Sequence, residues 1–95
     1  MFVVDLHYTA PLERIDEAMG EHVRFLKKYY SKNVFVASGR KVPRTGGIIL
    51  AVASSMDEIR MIMETDPFYT RKLTSFTITE FRTSQHHPDL TNLLH

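Results

Sequence analysis

The order of hydrophobic patterns along the 95 residues constrains the fold more than any single motif does. Four segments alternate or run apolar as β-strands do: 1–8, 33–38, 47–53 and 76–82. Two segments repeat apolar residues every three or four positions, as amphipathic helices do: 12–30 and about 56–65. The predicted order is βαββαβ. These elements fold most simply as a four-stranded antiparallel sheet with both helices on one face, the ferredoxin-like α+β arrangement.

Turn-forming residues mark the ends of several of these elements. Ser55, followed by Glu58, is a capping box, which predicts that the second helix starts at about residue 56. Pro67 restricts Asp66 to extended geometry, so we expect this helix to end near Thr65. The same Asp66-Pro67 pair is typical of a new helical turn, with Asp66 as the N-cap and Pro67 in the first position.

The third predicted strand is apolar on both faces. Residues 48–53 form an unbroken apolar run, whereas two helices on one side of the sheet leave its other side uncovered. A second copy of the sheet would cover that side, so we expect a homodimer or a larger homo-oligomer with a barrel-like space between the sheets. A monomer whose open face binds another partner is the alternative.

Composition excludes several classes of function. The chain has 12 basic and 11 acidic residues, so it lacks the charge that would gather nucleic acid or an anionic membrane, and neither partner is expected. The absence of Cys excludes disulfides, thiol nucleophiles and Cys-ligated metal sites, and it suits a reducing cytoplasm, where we expect the protein to act. No apolar run approaches the ~20 residues of a membrane span, and the N-terminus has the pattern of a strand rather than of a signal peptide.

Two groups of residues could form a site. His22 lies in the apolar stripe of the first helix, where a histidine is more often a core residue than a catalyst. The loop before the third strand could hold a carboxylate or phenolate, since arginine offers a forked donor and glycines let backbone amides approach an anion. Its cations and turn residues are Arg40, Lys41, Arg44, Thr45, Gly46 and Gly47. A solvated hairpin loop is the alternative. The histidines at 86, 87 and 95 with Asp89 are too loosely spaced to predict a metal site.

Several short motifs also match a known family. They are Pro11-Leu12-Glu13, His22 with Leu26 and Tyr29, Ser38-Gly39, Pro43-Arg44-Thr45-Gly46-Gly47, Asp66-Pro67-Phe68 and Glu80-Phe81. On these residues the chain resembles the YCII-related family of small dimeric α+β-barrel proteins. The resemblance covers about residues 1–83, which predicts one domain there and a polar C-terminal tail over residues 84–95. The chain departs from the family pattern at Arg40, where the pattern resembles Ser-Gly-Pro, and at Lys72, where a small residue is more usual.

The resemblance implies that His22 and Asp66 form the active site. Spacing is compatible with this, because each residue lies ~15 Å along its predicted helix and parallel helices would bring the two to the same level. A carboxylate on one ring nitrogen would leave the other free for proton transfer. We therefore predict a small cofactor-independent lyase, isomerase or hydrolase that acts on a small anionic or aromatic metabolite, with Ser38, Arg44, Gly46 and Gly47 binding the substrate. A non-catalytic dimeric ligand-binding or accessory module is the alternative, and cofactor-free monooxygenation is a third option that rests on fold analogy alone.

Overall fold

The computed structural model describes residues 1–94 and contains one antiparallel sheet in the strand order β2-β3-β1-β4. The strands are β1 (Phe2–Tyr8), β2 (Phe35–Arg40), β3 (Gly46–Ala51) and β4 (Thr74–Glu80). The helices are α1 (Leu12–Ser31), α2 (Met56–Met63) and the short α3 (Pro67–Thr70), and a 3-10 turn spans Pro88–Leu90. β1 is central and pairs with both β3 and β4. The predicted ferredoxin-like α+β fold is confirmed, with α3 as an additional turn.

One face of the sheet carries the main core. Along β1, Phe2, Val4 and Leu6 are buried, while the residues between them are more exposed, as the alternation of side chains along a strand requires. The same cluster contains residues of both long helices: Phe25 and Tyr29 of α1, and Ile59 and Met63 of α2. Because both helices pack against the same set of strand residues, they lie on one side of the sheet.

The segment between α2 and β4 contains α3, the helical turn that the sequence offered only as an alternative interpretation of Asp66 and Pro67. α2 begins after its N-cap Ser55, as predicted, and ends at Met63, close to the predicted Thr65. Asp66 then N-caps α3, because its Oδ1 accepts a hydrogen bond of 3.0 Å from the backbone N–H of Phe68. The predicted end of the second helix and the alternative of a new helical turn are therefore both realised, one directly after the other.

Two chain reversals shift strand boundaries from their predicted places. Asn33 and Lys72 adopt φ values of 59° and 61°, in the left-handed region that favours glycine. The first reversal delays β2 to Phe35, and the second lets β4 begin at Thr74 rather than at residue 76. A glycine would adopt the conformation of Lys72 with less strain.

α1 and α2 leave the opposite face of the sheet uncovered. There Ile48 of β3 is 37% exposed, and Asp5 forms a 2.5 Å ion pair with Lys41. The predicted apolar second side of β3 is thus uncovered within one chain, and a second copy on this face stays a prediction. No helix within residues 1–94 has the length and apolar character needed to cross a membrane.

Candidate functional site

The two side chains that the resemblance pairs, His22 and Asp66, are in direct contact. His22 Nδ1 lies 2.8 Å from Asp66 Oδ1, and the Asp66 side chain is completely buried while that of His22 is 12% exposed. The elements that bring these two side chains together are not the expected ones. Asp66 does not lie on α2 but caps α3, which packs against α1, so the contact does not come from two long parallel helices.

A single oxygen of Asp66 fixes two parts of the site. Oδ1 accepts from His22 and from the backbone N–H of Phe68, whereas Oδ2 is buried and has no hydrogen-bond partner within residues 1–94. The Phe68 ring lies flat against the His22 ring, with centroids 3.9 Å apart and planes within 5° of parallel. The imidazole is thus oriented by a hydrogen bond at its edge and by an aromatic ring on its face.

This arrangement distinguishes the two nitrogens of the His22 ring. When Asp66 is ionised, its oxygens only accept hydrogen bonds, and Nδ1 then carries the hydrogen that points to Asp66. No hydrogen bond within residues 1–94 uses Nε2. Nε2 is therefore the ring atom available to a ligand, and it can accept or give a proton there.

His22 lines a cavity of about 160 Å³ between α1 and the sheet. Met19, Val23 and Leu26 of α1 form one wall, and Leu6 and Ile49 of the sheet belong to the other. A dry apolar cavity of about 150 Å³ is large enough to bind benzene, so this one has the size of a single six-membered ring.

Two of the predicted binding residues, Ser38 and Gly47, also line this cavity. Ser38 Oγ lies 2.6 Å from the Tyr30 hydroxyl. Gly47 pairs with Leu6 on one side and with Arg40 on the other, and a Cβ at this position would come within 3.1 Å of the Gly39 carbonyl oxygen.

The other two predicted binding residues, Arg44 and Gly46, lie outside the cavity. Arg44 Nη2 is 2.5 Å from Asp16 Oδ1, and this hydrogen bond holds the pKa of the Asp16 carboxyl below its ordinary value. Gly46 is already part of β3, where a Cβ would come within 1.9 Å of the carbonyl oxygen of Leu6. Gly46 therefore permits the close pairing of β1 and β3, and a role of Arg44 or Gly46 in binding stays a prediction.

Arg40 lines the cavity; the sequence named it with the loop cations that could hold an anion, but not among the four predicted substrate-binding residues. It lies two positions after Ser38 on β2, so both side chains belong to the same face of the strand. The signal that could have found it is its pairing with Gly47, but this required the register of the hairpin.

Metal ligands do not cluster in the described part of the chain. No group of three His, Asp or Glu side chains within residues 1–94 could hold a metal ion. In the tail, His87 Nδ1 lies 3.6 Å from Asp89 Oδ2. His95, the last member of the loose set noted in the sequence, lies outside the described residues.

Comparison with known proteins shows the family of the chain and a likeness to a solved structure. The model of the YCII-related domain matches residues 1–82. The 5-chloro-2-hydroxyhydroquinone dehydrochlorinase of Burkholderia phenoliruptrix AC1100, solved in complex with 2,5-dihydroxybenzoquinone, is similar with a TM-score of 0.72. It shares 19% sequence identity, and the match covers 86% of this chain and 94% of that one. At this identity the likeness shows a shared fold. No curated protein matches this chain in sequence.

Proposed function

This chain belongs to the YCII-related family, and on that basis we propose that it is a small cofactor-independent enzyme of the lyase, isomerase or hydrolase type. One observation carries the proposal: a completely buried Asp66 lies 2.8 Å from a histidine that lines a ring-sized cavity. In this role His22 is the general acid/base. Asp66 orients its ring and stabilises the imidazolium that forms when Nε2 takes a proton.

The proposed chemistry begins with proton transfer to Nε2 of neutral His22. If the proton comes from a carbon beside a carbonyl group, the electron pair of the broken C–H bond moves onto the carbonyl oxygen. Return of the proton to another atom completes an isomerisation, and departure of a leaving group with its electron pair completes an elimination. If the proton comes from water, the oxygen becomes the nucleophile of a hydrolysis.

The cavity supports a small aromatic or anionic substrate. Its walls are mostly apolar, and Ser38 and Arg40 add a hydroxyl and a cation. The similar solved enzyme is a dehydrochlorinase bound to a one-ring quinone, which favours a lyase-type reaction among the three classes. A carbonyl-bearing ring is therefore the first ligand class to examine.

The proposal is tested by incubating the protein with 5-chloro-2-hydroxyhydroquinone, the compound in the name of the similar enzyme, and measuring the release of chloride. We expect turnover by the wild type and a loss of about a hundredfold or more in His22→Gln, because the general acid/base is removed. His7→Gln is the matched control: His7 is an exposed histidine of β1 outside the cavity, and its replacement should leave the rate unchanged. Equal rates for His22→Gln and the wild type would show that the proposal is wrong.

A non-catalytic ligand-binding or accessory module is the second candidate. It is favoured by the burial of His22, which is 12% exposed and stacked on Phe68 as a core histidine would be. In that case 2,5-dihydroxybenzoquinone would bind without chemical change, and His22→Gln would alter its affinity little.

The exposed apolar side of β3 supports a homodimer as the active assembly. Ile48 is 37% exposed on that side, and Leu50 shares it because the two alternate with the buried Ile49. Leu50→Glu should shift the protein to a monomer in sedimentation measurements if a second sheet covers this face. The lack of Cys supports an intracellular, cytoplasmic place of action for this enzyme.

A further inference from the structure

We propose that Ser38, Tyr30 and Arg40 form an oxyanion-binding pole on the sheet wall of the cavity, and that the substrate is a one-ring compound with an enolate or phenolate oxygen. The inference deepens the proposed function and rests on it, since it places the negative charge of the substrate away from His22.

The hydroxyl pair makes Ser38 a directed donor. Tyr30 Oη and Ser38 Oγ are 2.6 Å apart, and of the two residues Ser38 lines the cavity. A phenol is the more acidic hydroxyl and hence the better donor, so Tyr30 donates to Ser38 Oγ. The hydrogen of Ser38 is then free to point into the cavity. Tyr30 is thus a positioning residue that acts through Ser38, and a hydrogen bond from Ser38 to an oxyanion is strengthened by the charge of the acceptor.

Arg40 is a cation of this region without an ion pair in the described part of the chain, although its charge also helps to lower the pKa of Asp16 after the hydrogen bond from Arg44. Its neighbours Lys41 and Arg44 are engaged by Asp5 and Asp16, each at 2.5 Å. Arg40 forms no ion pair within residues 1–94 and lines the cavity beside Ser38. A guanidinium offers a planar fork of donors that suits an oxygen anion.

A ring in the cavity would lie between His22 and the oxyanion-binding pole. Gly47 lines the cavity and pairs with Leu6 and with Arg40, so the guanidinium belongs to a residue at the sheet wall of the cavity. His22 belongs to the helix wall and Ser38 to the sheet wall. When Nε2 takes a proton from the ring or from a ring hydroxyl, the released electron pair is delocalised onto the oxygen at Ser38 and Arg40. The pole therefore stabilises the charge that develops in the reaction.

The test measures the affinity of 2,5-dihydroxybenzoquinone, a ring that is an anion at neutral pH, by calorimetry. We expect Arg40→Ala and Ser38→Ala each to weaken binding by about tenfold or more, and Tyr30→Phe by about threefold to tenfold. Because Tyr30 acts through Ser38, the double variant Tyr30→Phe/Ser38→Ala should bind no more weakly than Ser38→Ala alone. Arg40→Lys, which keeps the charge, should recover part of the affinity.

Two controls separate this pole from a structural effect. Tyr29→Phe removes the hydroxyl of the neighbouring tyrosine, whose ring packs in the core against Phe25 and Phe35, and it should leave the affinity unchanged. Phenol, which is neutral at pH 7, should bind equally well to the wild type and to Arg40→Ala. Thermal unfolding of each variant reports whether the fold is retained, and exposed Arg40 should be replaceable without loss of stability.

The outcomes distinguish this inference from the proposed function. A Tyr30→Phe variant that binds like Tyr29→Phe, losses that add in the double variant, or a wild type that does not bind the quinone would each overturn the oxyanion pole. In these cases the chloride-release assay of His22→Gln still decides the role of His22. If instead the pole variants lose affinity while His22→Gln keeps full activity, the pole is supported as a ligand site and the acid/base role of His22 is wrong.

Discussion

The two walls of the cavity are built in different ways. On the helix wall, Asp66 is completely buried, and its Oδ1 bonds both His22 and the N–H of Phe68, whose ring covers the imidazole. On the sheet wall, Ser38 and Arg40 are exposed and belong to β2, which is an edge strand. One wall is fixed by several mutually dependent contacts, and the other by the pairing of an edge strand.

Under the proposed function, this difference would place the chemistry on the helix wall and the ligand selectivity on the sheet wall. The contacts that orient His22 also cap α3, so a change there disturbs both the site and the fold. Apart from the buried Phe35, the side chains of β2 from Ala37 to Arg40 are exposed and can change with little effect on the core, so ligand preference can vary on this wall. Arg40, one of the departures from the family pattern, lies on this wall.

On the sheet side of the cavity, Gly46 should be a position that does not tolerate substitution by a larger residue. A Cβ at this position would come within 1.9 Å of the carbonyl oxygen of Leu6 on the central strand, so β1 and β3 would have to separate. We expect Gly46→Ala to lower the free energy of unfolding by more than about 3 kcal/mol, or to prevent folding. Urea unfolding measures this.

The matched control for this variant is Gly39→Ala. A Cβ at Gly39 would meet no atom within 4 Å, so we expect a change within about 0.5 kcal/mol. If both variants lose the same stability, the sheet side is not divided into a tolerant edge and an intolerant centre.

Two replacements of Asp66 should separate its roles on the helix wall. Asp66→Ala removes both hydrogen bonds of Oδ1, so we expect a loss of about 1–3 kcal/mol in unfolding free energy. Asp66→Asn keeps an oxygen that can accept both bonds but removes the charge, so it should lose less stability while chloride release falls strongly. If Asp66→Ala and Asp66→Asn had similar stability and similar activity, the claim that both the site and the fold depend on this carboxylate would be contradicted.

Lys72, at the end of α3, marks a place where the helix wall is strained. Its φ of 61° is unfavourable for a residue with a Cβ, so we expect Lys72→Gly to raise the free energy of unfolding by about 0.5–1 kcal/mol. Asn33→Gly is the control, because Asn33 has a φ of 59° and asparagine tolerates this region better. An equal gain at both positions would show that the strain is not specific to the lysine.

The Asp16–Arg44 pair should have the smallest effect. The hydrogen bond from Arg44 lowers the pKa of Asp16, so the pair stabilises the fold above the pKa of the unfolded carboxyl, and this contribution disappears as the pH falls through the folded value. Asp16→Asn should therefore lower stability at pH 7 and leave it unchanged in strong acid, with a smaller difference at high salt because the groups are accessible to solvent.

The control for this pair is Glu17→Gln on the same helix, since Glu17 forms no ion pair within residues 1–94. The same pH dependence in Glu17→Gln would assign the effect to net charge rather than to the bond between Asp16 and Arg44.

The sequence predicted the fold well where the periodicity was strong, as in β1 and α1. It predicted the neighbours of His22 only through the family resemblance. Spacing alone placed Asp66 at the end of a long second helix, and the contact depends instead on a break in the chain after Met63 and on the packing of α3 against α1. Such a contact is tertiary, so local patterns cannot define it.

The sheet wall was predicted less well because its side chains depend on the register of β2 and β3. Moving a strand by one residue turns every side chain to the other face. Once β3 starts at Gly46, Arg40 pairs with Gly47 beside the cavity, while Arg44 remains in the loop near Asp16. Residue types alone could not distinguish the two arginines.

The central claim is that Asp66 fixes the His22 ring with its hydrogen on Nδ1 and leaves Nε2 to the cavity. Nitrogen-15 NMR of the histidine ring, with 2,5-dihydroxybenzoquinone added, tests it most directly in the wild type and in Asp66→Asn. We predict a neutral ring protonated at Nδ1 in the wild type, an Nε2 signal that shifts when the quinone binds, and a mixture of both tautomers in Asp66→Asn. A ring protonated at Nε2, or an Nε2 signal indifferent to bound quinone, would contradict the account.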